Sequence, residues 1–263
     1  MTLDVLRRVD PSRLRSLAVA AALVGLAAGL VAAVFATVAG EPAIEDAIAI
    51  EEEAAAAARS EDVAGTGHEG DEDEASVARA DQRGVGLFGA YALTGGAFGL
   101  LLAVTAHGLR RGRPAAAPRV LVAGTILAGA VTVAPWFKYP PNPPAVGDPS
   151  TLGERQSLYV TVIVVAAALG LGATVLARRL AAAGWPDHRR RAAIAAAVAV
   201  PMLVLYALLP PGPDEIAVPA ELVWRFRVAS LGANLTLWAV LTLGVGWLVG
   251  DSRHAPPHPA ATT

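Results

Sequence analysis

Five histidines, 23 carboxylates and one lysine are the side chains of this 263-residue chain best able to hold a metal or move a proton, and there is no cysteine. The missing thiol closes disulfide, thiolate-nucleophile, iron–sulfur and thiolate–zinc chemistry, so any metal must take oxygen or imidazole ligands. His68 stands beside Glu69, Asp71, Glu72, Asp73 and Glu74, a hard, oxygen-rich run. Within it His68, Glu69, Asp71 and Asp73 are candidate cation-collecting positions, and the same run also reads as a solvated acidic loop suited to high salt. His107 lies at the inner edge of an apolar stretch and His188 in a basic connection, and no two histidines share an i, i+4 spacing within a stretch. His254 and His258 have Pro256 and Pro257 between them, which forbid a helix. No nucleophile with its base, acid/base pair or metal triad converges, which leaves an enzyme as the weakest function class. Lys138 follows Phe137, so the phosphate loop G-x-x-x-x-G-K-[ST] cannot be written anywhere and the chain is no ATP-driven motor by itself.

The elements that must position these groups are apolar. Hydrophobic residues make up 54% of the chain and charged residues 17%, against about 25% charged in soluble domains. Stretches free of Asp, Glu, Lys and Arg run from Ser16 to Gly40, Gly84 to Leu109, Val120 to Phe137, Gln156 to Ala177, Ala192 to Pro213 and Val228 to Gly250. A hydrocarbon core about 30 Å thick needs about 20 helical residues. Lipid admits only helices or closed barrels, and these runs lack the alternation of barrel strands. The expected fold is therefore all-α, a polytopic membrane helix bundle forming one membrane domain over 1–263. Its spans are expected near 16–39, 85–107, 119–137, 156–177, 192–210 and 228–249. The third run is the shortest, and without it the count is five. The first apolar run exceeds a signal-peptide core of 7 to 15 residues, which favours an uncleaved anchor.

Arginine placement sets the orientation. The amino terminus, the connections 110–119 and 178–191 and the tail 250–263 hold 14 of the 21 basic residues, and the other connections receive 19 of the 23 acidic ones. By the positive-inside rule both termini are cytoplasmic. Glycine pairs Gly25/Gly29, Gly95/Gly99 and Gly246/Gly250 offer G-x-x-x-G ridges for close helix packing, or arise by chance among 26 glycines. Pro201 should bend the fifth span.

Three connections face outward. Residues 41–83 form an acidic loop with 14 carboxylates, expected to be helical from Pro42 to about Ser60 and disordered from Glu61 to Asp81. The helix could extend the first span. The second connection packs four prolines around Asn142, a stiff path whose carbonyls are open to a cation or to other helices, with Trp136, Phe137 and Tyr139 as interface anchors. Thr151 and Glu154 match a capping box for the fourth span. In the third connection Glu221 and Arg225 are spaced i, i+4. Asn234, deep in the last span, should point into the bundle for an interhelical hydrogen bond or a substrate contact.

The block from Pro135 to Arg155 carries Trp136, Phe137, Lys138, Tyr139, Pro140, Pro141, Asn142, Pro143, Pro144, Gly147, Asp148, Glu154 and Arg155. It resembles the signature of the CbtA family of predicted cobalt transporter subunits, as does Trp224-Arg225-Phe226-Arg227. The resemblance implies a polytopic protein of the cell membrane for uptake of Co²⁺ as transported ion. It further implies a link to cobalamin biosynthesis and a small single-span, histidine-bearing partner subunit (CbtB-like). The family is usually described with five spans. On this reading the acidic loop gathers cations, while the proline loop and the last-span face from Glu221 through Trp224, Arg225 and Arg227 to Asn234 line the entrance. A second reading is a non-transporting scaffold whose proline loop docks another subunit.

Overall fold

The computed structural model describes residues 9–10, 12–62, 85–111, 115–143, 149–213, 216 and 218–251. The elements in chain order are α1 (Leu14–Ala39), α2 (Glu41–Asp62), α3 (Leu87–Gly108), α4 (Ala116–Ala128), a π-helical turn (Gly129–Val133), α5 (Ala134–Lys138), α6 (Leu152–Ala182), α7 (Asp187–Leu208) and α8 (Ala220–Asp251). Among the described residues there is no strand. Six helical stretches are long and apolar enough to cross a membrane: Leu14–Ala39, Leu87–Arg111, Ala116–Lys138, Leu152–Ala182, Asp187–Leu208 and Ala220–Gly250.

The third stretch reaches 23 residues, past its 18-residue uncharged run, because the helix takes in Arg119, buried at 7% exposure. It is also where the helix widens. Pro135 has no N–H to give. The chain passes it through the π turn, in which the Ala134 N–H reaches the Gly129 carbonyl five residues back. The acidic helix of the first connection forms as α2, and a turn at Gly40 separates it from α1. The Gly40 N–H donates to Ala36 O at 2.7 Å, while its carbonyl starts α2 by accepting from Ala43 and Ile44. Helix α7 runs through Pro201.

The chain divides into two compact units, one of residues 1–31, 91–125 and 237–263, the other of 32–90 and 126–236. In the first, two of the glycine ridges face each other. A Cβ placed on Gly25 would strike Gly95 O, one on Gly29 would strike Tyr91 O, and one on Gly99 would strike Ala21 O. Backbones of α1 and α3 therefore touch, as small residues permit when lipid supplies no hydrophobic drive between helices. The Gly246/Gly250 ridge does no such work: a Cβ placed on either would meet only Leu121 or Ala117, at ordinary contact distances of 3.8 and 3.9 Å. Phe98 stacks on Trp238 with ring centroids 4.7 Å apart.

In the second unit α6 and α7 form a hairpin closed by Gly184 at φ 72°. Trp185 N–H bonds Leu180 O at 3.0 Å and Gly184 N–H bonds Ala181 O at 3.1 Å, the paired pattern that ends a helix on a left-handed glycine. The apolar windows of these two helices are only 6% and 0% buried, with Val164, Leu203 and Leu208 exposed. Uncharged faces that long are stable only in a hydrocarbon solvent.

Candidate functional site

The proline motif is spent on holding helix ends together. Helix α5 delivers Lys138 to the end of α7, where the last carbonyls lack intrahelical donors. The ammonium donates to Tyr206 O and Leu209 O, each at 2.9 Å, a cation on the negative end of a helix dipole. The Tyr139 hydroxyl donates to Pro210 O at 2.8 Å, and the Tyr206 hydroxyl returns a bond to Ala134 O at 2.6 Å. On α8, Arg227 donates through Nη2 to Asn142 Oδ1 at 2.8 Å and through Nε to Pro141 O at 3.3 Å. Its carbonyl accepts from Trp136 Nε1 at 3.0 Å. Of the two partners expected for the loop carbonyls, a cation or another helix, Pro141 O meets the helix: it and Asn142 Oδ1 accept from a guanidinium on α8 whose donor fork matches them.

Beneath these bonds lies a cavity of about 770 Å³. The motif lines it from Lys138 to Asn142, α6 contributes Leu152, Arg155, Gln156, Tyr159 and Val160, and Gly212, Pro213, Ile216 and Arg227 close it. Burial, and then the charge of Glu154, push the Tyr139 phenol above its ordinary value. A second cavity, of about 480 Å³, is lined by Asp46, Ala49, Ile50, Pro219, Glu221, Leu222 and Arg225. Here Arg225 reaches Asp46 on α2 at 2.6 Å, and not Glu221 one turn away as its spacing suggested. The tertiary partner wins over the weak i, i+4 pairing.

Two further expectations are corrected. Helix α6 opens after a 3₁₀ turn over Pro149–Thr151, and Thr151 makes no side-chain capping bond. Its φ of −85° and ψ of −3° are helical, whereas a capping residue needs extended backbone to aim its oxygen at the next turn. Asn234 turns back on its own helix, donating one N–H to Ser230 O at 2.9 Å instead of to a neighbouring helix. Trp224 is 59% exposed and stands 6.3 Å from the Trp136 ring. Phe137 is exposed as an interface anchor should be, while Trp136 and Tyr139 bond their polar tips to backbone carbonyls of the protein. Pro143 lies just beyond Asn142 and is not a cavity wall. Pro144, Gly147, Asp148, His68, Glu69, Asp71 and Asp73 lie outside the described residues. Among the described residues, no three His, Asp or Glu side chains converge as a metal site would require.

Sequence reasoning passed over Asp46, Gln156, Tyr159 and Tyr206. The two tyrosines had a signal: each is a polar tip in an otherwise aliphatic span, and such a hydroxyl must find a partner away from water. Asp46 had none, being one of 14 carboxylates in its connection.

Comparison with curated proteins and with solved structures returned no match. A family model described as probable cobalt transporter subunit (CbtA) matches residues 14–250. That match takes in all the elements that build both cavities, so the chain is a multi-pass membrane protein belonging to the CbtA family of probable cobalt transporter subunits.

Proposed function

We propose that the protein is the membrane-embedded subunit of a Co²⁺ uptake system of the cell membrane, with both termini cytoplasmic, serving cobalamin biosynthesis. Its partner is a small single-span, histidine-bearing subunit (CbtB-like). The observation that carries this reading is the family match over nearly the whole chain. The orientation is supported by the arginine distribution. It is supported also by the second unit, where bonds join the connections expected outside: Asp46 to Arg225, Lys138 to Leu209 and Arg227 to Asn142. Co²⁺ takes oxygen or imidazole ligands in a chain without thiols. Oxygen donors border the smaller cavity, where Arg225 holds Asp46 beside Glu221. An arriving cation would take the place of that guanidinium. The larger cavity, walled by Lys138, Arg155 and Arg227, repels a bare dication. The proline motif therefore serves the helix ends, and the entrance belongs nearer Asp46 and Glu221.

The test is cobalt accumulation in cells lacking the gene and restored with it, the partner gene being present throughout. Restored accumulation is expected, reduced by Asp46→Asn together with Glu221→Gln. Unchanged accumulation would leave the scaffold reading.

A further inference from the structure

We propose that the 770 Å³ cavity beneath the proline motif is a binding site for the phosphate of an anionic phospholipid, with the start of its acyl chains along the apolar wall. The inference rests on the chain crossing the membrane, and is independent of what it transports. Three observations carry it. The walls hold three cations, Lys138, Arg155 and Arg227; Glu154, whose charge reaches Tyr139, is not a lining residue. The bonds that fix Lys138 and Arg227 go to neutral acceptors: the carbonyls of Tyr206, Leu209 and Pro141 and the Asn142 amide. Such bonds aim the cations without cancelling their charge. An ammonium has three donors and a guanidinium five, so both retain N–H groups beyond those bonds. The rest of the wall includes Leu152, Val160, Pro213 and Ile216, an apolar lining that suits an amphiphile better than a free ion. Exposed Phe137 next to Lys138, and exposed Trp224 one turn before Arg227, are aromatic side chains of the kind that settle at headgroup level. Clustered Lys and Arg pockets between spans recognise phosphate headgroups through charge-assisted bonds.

The test uses the full chain purified in neutral detergent, following its thermal unfolding as lipid is added, since a ligand that binds the folded state raises the midpoint. Phosphatidylglycerol is expected to raise the midpoint, phosphatidylcholine and inorganic phosphate at matched phosphate to do so far less, and added salt to erode the gain. Arg155→Gln and Lys138→Gln should each remove at least half of the gain. The glutamine at 138 retains two donors for the two carbonyls, so loss of charge is separated from loss of fold. Arg190→Gln, which removes a cation paired with Asp187 on another connection, should leave the gain intact. Equal stabilisation by phosphatidylcholine or by inorganic phosphate overturns the proposal. So does a salt-insensitive gain in the unaltered protein, or variants at 155 and 138 that respond like it. Cobalt accumulation is not read in this experiment, so its failure leaves the transport reading standing.

Discussion

Lys138, the only lysine, was legible as part of a motif, yet its sequence position gave no hint that its partners are two carbonyls some 70 positions away. Hydrogen bonds from charged groups contribute about 1.5–3 kcal/mol each, whereas an exposed ion pair contributes about 0–1 kcal/mol. Lys138→Met should therefore lower unfolding stability several times more than Asp46→Asn, whose pair with Arg225 is half exposed on both sides. Denaturation of both variants in one detergent checks the order; equal losses would refute it. At Tyr139 burial and Glu154 favour the neutral phenol, so its folded pKa lies above the unfolded one. The sign follows from linkage: its contribution is intact below the ordinary tyrosine value near 10 and is lost as pH rises through the folded value. Tyr139→Phe should flatten the alkaline fall in melting temperature, while lowering the midpoint at neutral pH through the lost bond to Pro210.

At the scale of elements, three glycine pairs look alike in sequence and differ in space. Gly95 faces the Gly25 carbonyl, so Gly95→Ala must push α1 and α3 apart, a loss of about 1–3 kcal/mol for overpacking. Gly246→Ala meets only Leu121 at 3.8 Å and should change stability little, or raise it slightly by lowering chain entropy. Melting curves of the two variants, with the unaltered protein as reference, decide this. Which pair is a true ridge depends on where the facing helix lies, and a spacing of four along one helix carries no such information. The capping box at Thr151 failed for a similar reason: the four-letter pattern was present, but the 3₁₀ turn before α6 set the backbone first. Helix α2, by contrast, follows from alanine and glutamate content alone, within two residues of the expected end.

For the whole molecule, the absence of cysteine makes topology directly measurable. Single cysteines at Ser12, Arg111 and Arg190 should react with a membrane-impermeant maleimide only after the cytoplasmic face is opened, and those at Ala49, Pro143 and Gly212 in intact cells. Reaction of Arg111→Cys and Pro143→Cys from one side would sink the orientation. By itself the sequence determined the apolar helical runs and the solvent they require, and left their number at six or five. Twenty-odd residues without charge can satisfy their backbone in lipid only as a helix, and that is a local property of each run. Only the tertiary structure decided which polar groups meet. Arg225 with Asp46, Arg227 with Asn142 and Lys138 with the end of α7 are distant in the chain. Their pairing depends on helix placement, which the period of a single helix does not encode.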